Sequence, residues 1–401
     1  IMLSALRSGL RTARVPVTRA FSANSCEFDL PAYETHGIAS ELPLPTTATA
    51  TKEELEGYLR QMLAVRRMEI ALDSAYRERL VRGFLHLGDG QEAICMGVEA
   101  GLTREDSWIT SYRCHGVAVM RGVPVVEVLA ELMGFQEGNV RGKGGSMHLY
   151  SKKGNFYGGA GIVGAQVPIG AGLAFANAYK AKQSGSDTMN VAIAAYGDGA
   201  ANQGQIWEAA NMSALWNLPT IFMIENNQYG MGTSMERSSS NFEYYTMGAN
   251  IPGIRVNGMD VLAVREAIRV AKEYCGSGKG PMYMEMMTYR YHGHSMSDPG
   301  TSYRDRSEIQ EVRARRDPIE AVKARMEQAG FATADELKAI EKEVRKDVNS
   351  ALKEARGGTP PPLSECYTDI FSDGKGGSEI PPFIRLPDFT KSRVNGEPMT
   401  Q

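Results

Sequence analysis

Two apolar runs, Val191–Tyr196 and Thr220–Glu225, constrain this chain more than anything else in it. Each is continuous rather than alternating, and the stretch between them, Gln205–Leu215, has helical spacing. A continuously apolar strand must be covered on both faces. A helix that connects two such strands supplies cover and leaves them parallel. Val261–Tyr274 as a helix and Met282–Thr288 as a strand extend the alternation. The expected fold is therefore α/β, a parallel sheet flanked by helices on both faces. In such a sheet, ligands bind beyond the carboxyl ends of the strands. Met282, Met284, Met286 and Met287 read as strand packing rather than as a cofactor feature.

The ends of the chain are expected to lie outside this domain. Residues 1–21 carry Arg7, Arg11, Arg14 and Arg19 and no acid, with serines interspersed. That is the composition of a mitochondrial transit peptide, and Arg19-Ala20-Phe21 before Ser22 suits processing. The implied compartment is the mitochondrial matrix. Residues 22–50, rich in Pro and Thr, are expected to be an irregular N-terminal arm. Residues 51–371 form the domain, and 372–401 a Gly/Ser/Pro-rich C-terminal tail. Thr51 and Glu54 have capping-box spacing ahead of Leu55, Leu59, Met62 and Leu63, which predicts a long helix. Further helices are expected at Gln91–Ala100, Val125–Met133, Gly170–Ala178 and 335–356. The net charge of −3 gives no reason to expect a nucleic-acid partner. No run of about eighteen apolar residues predicts a membrane span. Five scattered cysteines lack any zinc or CxxC spacing and are expected to be free thiols.

The chemistry is expected where two strands end. Gly197-Asp198-Gly199 follows the first apolar strand, and Asn226-Asn227 follows the second. One crossover joins them, so Asp198 and Asn227 should meet at one edge of the sheet. A carboxylate, an amide oxygen and a backbone carbonyl suit Mg2+, which usually shares its shell with phosphates. Gly199 and Ala200 open the crossover, where free N–H groups can meet phosphate. Two decoys lack this context. Gly88-Asp89-Gly90 follows no strand and precedes a helix. Gly159–Gly164 fits GxGxxG but follows a Gly/aromatic loop, which argues against a dinucleotide site.

GDG followed by NN resembles the thiamine-diphosphate motif. The resemblance extends through Arg82–Leu87, Tyr112-Arg113, Lys143–His148, Gly161–Gly172, Gly197–Gly204, Glu225–Arg237 and Tyr289–Arg304. These runs resemble the alpha subunits of the thiamine-diphosphate-dependent 2-oxo acid dehydrogenases, over roughly Thr51 to Tyr367. The run His292–Gly300 is similar to the pyruvate type. The resemblance implies the thiamine diphosphate-binding fold and a role for each matching residue. Asp198 and Asn227 would bind Mg2+ by side chains and Tyr229 by its carbonyl. Tyr112, Arg113, Gly199 and Ala200 would contact the diphosphate, and Gly161 and Val163 the aminopyrimidine. His294 and His86 would lie at the reacting end.

The implied reaction is decarboxylation of pyruvate, with the cofactor as electron sink, and reductive acetylation of lipoyl groups on a dihydrolipoyl acetyltransferase. No second α/β unit is evident to carry the glutamate that activates the aminopyrimidine. A beta subunit is therefore expected, and the resemblance implies an alpha2-beta2 heterotetramer. Ser295, Ser302 and Ser234 match family sites of inhibitory phosphorylation, which implies a regulatory kinase and phosphatase. The alternatives are a branched-chain 2-oxo acid or acetoin dehydrogenase alpha subunit, or a catalytically silent regulatory subunit.

Overall fold

The computed structural model describes residues 24–248 and 250–367, together with the strands Val17–Ser22, Arg393–Val394 and Glu397–Pro398. In chain order the strands are β1 (Val17–Ser22), β2 (Ser25–Asp29), β3 (Glu34–His36), β4 (Thr47–Thr51), β5 (Ser107–Ser111), β6 (Phe156–Ala160), β7 (Ala192–Gly197), β8 (Thr220–Asn226), β9 (Gly253–Asn257) and β10 (Met282–Met287). The helices are α1 (Lys52–Arg77), α2 (Glu92–Gly101), α3 (His115–Met120), α4 (Val125–Leu132), α5 (Gln166–Ser184), α6 (Gly204–Leu215), α7 (Met235–Ser238), α8 (Val261–Tyr274), α9 (Arg306–Arg316), α10 (Pro318–Gln328) and α11 (Ala334–Ala355).

Seven strands form the central sheet in the order β3-β9-β10-β8-β7-β5-β6. All neighbours are parallel except β3, which pairs antiparallel with β9. Every residue of β8 is buried, as expected of a strand covered on both faces. α1, α2 and α8 pack into the larger core on one side. α5 and α6 cover β7 and β8 on the other. α5 lies close to the sheet because Gly170 has no side chain: a Cβ there would come within 2.5 Å of the Ala194 Cβ. α1 begins in the expected capping box, with Thr51 Oγ1 accepting from the Glu54 N–H and the Glu54 carboxylate accepting from the Thr51 N–H. Cys95, Cys114 and Cys275 are buried free thiols, Cys366 is an exposed one, and Cys26 is buried.

Four expectations need correction. Residues 22–50 are not irregular: β2 and β4 pair antiparallel beside α1, and β3 joins the main sheet. Thr47, Thr49 and Thr51 alternate with buried Ala48 and Ala50, so the strand period was present in a segment too polar to draw attention. The sheet is consequently mixed at that edge. α5 starts at Gln166, four residues before the small-residue face that predicted it. Gly159–Gly164 does follow a strand, since β6 runs to Ala160. The dinucleotide reading still fails, because β5 separates β6 from β7 and Asp198 therefore does not end the strand beside it. β5, β9, α9 and α10 had no expectation attached to them. Residues 1–16 and most of 372–401 lie outside the described residues.

Candidate active site at the carboxyl edge of the sheet

β7 and β8 run in register, with Gly197 opposite Glu225. Asp198 therefore leaves the sheet beside Asn227, as their strand-end positions require. Asp198 opens a 3-10 turn, Asp198–Ala200. Its carboxyl is buried and its Oδ2 has no hydrogen-bond partner. Burial raises the Asp198 pKa to about 6, against the lowering effects of hydrogen bonds and of the Arg290 charge. The turn faces the second loop: a Cβ on Gly199 would sit 3.5 Å from the Gly230 Cα. Asn227 Oδ1 and the Tyr229 carbonyl both accept from one nitrogen, Arg290 Nη1, at 2.9 and 2.8 Å.

These observations test whether the residues suit a hard cation. An orphaned buried carboxylate oxygen lies beside an amide oxygen and a carbonyl oxygen that share one cationic donor. That is an all-oxygen, singly charged set, as Mg2+ takes when phosphates complete its shell, and the residues fit. Among the described residues, no cluster of three or more His, Cys, Asp or Glu is placed to hold a metal. His292 and His294 have no third such ligand placed with them to hold a metal among the described residues. His292 Nδ1 instead lies 2.8 Å from both Asp89 carboxylate oxygens.

The remaining residues come from three loops at the same edge. Ser111 of β5 pairs with Ala160 of β6, so Tyr112 and Gly161 leave adjacent strand ends. The Tyr112 ring centroid is 4.4 Å from that of His86 and 5.3 Å from that of His294. The two imidazoles are edge to face at 5.4 Å. The Arg113 guanidinium donates to the carbonyls of Leu87 and His294, which occupies two of its five N–H donors. It thus ties the two histidine-bearing loops together. Val163 is exposed on the turn into α5, and Gly161 lies against His148. Ser295 is buried and its hydroxyl meets that of Ser297 at 2.9 Å. Ser302 is exposed, and Ser234 bridges to Tyr229.

Several site residues escaped the sequence reading. Arg290 Nη2 also donates to the Gly230 carbonyl and to Tyr303 Oη. Tyr303 donates to Asp298, which also accepts the His294 N–H at 2.7 Å. Arg304 donates to the carbonyls of Arg290 and His292 and lies over the rings of Tyr229, Tyr289 and Tyr303. The alternation of arginine, tyrosine and histidine in Tyr289–Arg304 was the available signal. Ser146, His115 and Glu69 have the geometry of a nucleophile, base and acid, with 2.8 Å from His115 Nε2 to Ser146 Oγ. All three are buried, so no substrate reaches them. They join α1, α3 and the 3-10 turn Gly145–Met147.

Burial, then the charge of Arg113, depresses His294 to about 4 and His86 to about 2. Both are neutral at physiological pH. The unfolded chain binds more protons than the folded one below the ordinary histidine pKa of about 6.5, so stability should fall as pH drops from there toward 4. NMR of histidine-labelled protein should show neither ring titrating between pH 5.5 and 8. A midpoint near 6.5 for either would contradict the packing.

A mostly parallel sheet with oxygen ligands at two neighbouring strand ends and histidines beside them defines an α/β domain with its candidate site at the carboxyl edge. The family described as dehydrogenase E1 component matches residues 60–363, and the chain belongs to it. Its relatives are named pyruvate dehydrogenase E1 component subunit alpha, mitochondrial. The chain is 55% identical to the one from Sminthopsis macroura over 350 residues, covering 87% of this chain and 94% of that one. It is 53% identical over 360 residues to the somatic form from Homo sapiens, covering 90% of each. It is 57% identical over 326 residues to a probable subunit from Caenorhabditis elegans, covering 81% of this chain and 80% of that one.

Proposed function

We infer that this chain is the alpha subunit of a mitochondrial pyruvate dehydrogenase (acetyl-transferring), a thiamine-diphosphate-dependent oxidoreductase. It decarboxylates pyruvate oxidatively and passes the acetyl group to lipoyl groups of the dihydrolipoyl acetyltransferase. The observation that carries the reading is the meeting of Asp198, Asn227 and Tyr229 oxygens beside the His86–Tyr112–His294 cluster.

In our assignment Asp198, Asn227 and the Tyr229 carbonyl hold Mg2+, and Gly199, Ala200, Tyr112 and Arg113 meet the diphosphate. Gly161 and Val163 present backbone to the aminopyrimidine. Bound there, thiamine diphosphate supplies the electron sink for decarboxylation. His294 is neutral, so its ring nitrogen can take or return a proton at the reacting end. His86 and Tyr112 pack against it and keep water away. Arg113 fixes the backbone of His294 against that of Leu87 and leaves its positive charge near the diphosphate. The domain division given above and the matrix location belong to the same reading.

The chain works within a multi-subunit enzyme, and we assign a beta subunit as its partner, in an alpha2-beta2 heterotetramer. Support comes from α5, α6 and the residue after α6. Ile169, Phe175, Tyr179, Leu215 and Trp216 are all more than half exposed, and the Phe175 and Trp216 rings touch. Exposed large apolar side chains on two packed helices, with two of their rings together, suit an interface. The isolated chain is expected to turn over no pyruvate. Phe175→Asp with Leu215→Asp should abolish co-purification with the beta subunit while the far-ultraviolet spectrum stays unchanged. Turnover by the chain alone, or assembly of the double variant, would sink the partner assignment. Ser295, Ser302 and Ser234 are the assigned sites for a regulatory kinase and phosphatase.

A further inference from the structure

The rejected decoy Gly88-Asp89-Gly90 bears on the cation site through the residue that follows it. Gly90 adopts φ +97°, and a Cβ there would lie 2.4 Å from the Tyr289 carbonyl oxygen. The Tyr291 N–H donates to the Asp89 carbonyl at 3.1 Å. The decoy loop is thus pressed against the segment that carries Arg290. This seating brings Gln91 to Asn227, whose Nδ2 donates to Gln91 Oε1 at 3.3 Å. On the other side of the same amide, Arg290 Nη1 donates to Asn227 Oδ1 at 2.9 Å.

An asparagine amide presents oxygen on one side and NH2 on the other, and a half-turn exchanges them. Only the oxygen can ligate a hard cation. Arg290 is buried and has donors only, so the exchanged amide would set NH2 against guanidinium. Gln91 Oε1 accepts from that NH2 and so satisfies the side of the amide away from Arg290. Each Asn227 oxygen lone pair not used by Arg290 stays free for a cation.

We propose that Arg290 and Gln91 are positioning residues that fix the Asn227 amide with its oxygen toward the cation. The inference rests on the assignment of Asn227 as a Mg2+ ligand. Partners that orient metal ligands in this way typically change metal affinity by about 10–100-fold when removed.

The test is a titration of the assembled enzyme, saturated with thiamine diphosphate, with Mn2+ followed by electron paramagnetic resonance. Gln91→Leu should weaken Mn2+ by about 10-fold or more, and Arg290→Met by at least as much. Gln91→Glu keeps an acceptor facing Nδ2 and should bind Mn2+ at least as well as the unaltered enzyme. The decisive arm places Gln91→Leu in an Asn227→Asp background. A carboxylate has oxygen on both sides, so the Gln91→Leu penalty should vanish there. A penalty of equal size in both backgrounds, or full affinity in Gln91→Leu, overturns the inference. Full affinity in Asn227→Ala would instead overturn the ligand assignment itself.

Discussion

Asp198→Asn should abolish cofactor retention while leaving the fold as stable as before, or more so. The two effects have one cause. Asp198 is held almost without exposure, and its Oδ2 finds no donor in the protein. A buried charge in that state opposes folding, as the upward displacement of its pKa also indicates. A neutral amide of the same shape removes the opposition. The same change takes from the cation its one formally charged protein ligand. Losing one partner of a buried charge pair typically costs about 3–5 kcal/mol, which is about 100-fold or more in affinity. Calorimetry with thiamine diphosphate and Mg2+ should show at least that loss. Differential scanning calorimetry of the same sample should give an equal or higher Tm. A fall in Tm together with retained binding would mean that Asp198 is a structural residue.

Ser295→Glu should inactivate the enzyme by about 100-fold without unfolding it. Ser295 is buried, its hydroxyl meets Ser297, and the next residue is pinned by the Met296 N–H to the Leu85 carbonyl. Burying an unpaired carboxylate there costs several kcal/mol, and a phosphoserine adds about two negative charges. The least costly response is to open residues 292–304. That movement would carry away the Asp298–His294 and Tyr303–Arg290 contacts and misplace His294. Limited proteolysis should therefore cut the variant within this loop, and Ser295→Ala should stay intact and active. Ser302 is exposed, so Ser302→Glu should cost far less. Full activity in Ser295→Glu would remove the basis for control at this serine.

The legible part of this molecule was the part written in uninterrupted apolar runs. β7, β8 and β10, with α6 and α8 between them, were bounded to within one residue because burial on both faces leaves no other reading. The meeting of Asp198 and Asn227 followed from that alone. β2, β3 and β4 were not legible: β4 carries its period on threonines and alanines, β3 is three residues at a sheet edge, and β2 buries only Cys26 and Phe28. Arg113 was expected at the diphosphate, but its tie between two carbonyls far apart in sequence was not legible. Arg290, Asp298, Tyr303 and Gln91 act through contacts spanning several loops. No local pattern announces such contacts, and only the folded chain brings Gln91 to Asn227.

The central claim is that this chain serves a pyruvate-specific, thiamine-diphosphate-dependent enzyme. The most direct test co-expresses it with its beta subunit and measures turnover of pyruvate and of 3-methyl-2-oxobutanoate, with a lipoyl-bearing domain as acceptor. The account predicts cofactor-dependent acetylation of the lipoyl group from pyruvate, and a much smaller rate from the branched substrate. Preference for 3-methyl-2-oxobutanoate, or no turnover of either by an assembled complex that binds the cofactor, would contradict it.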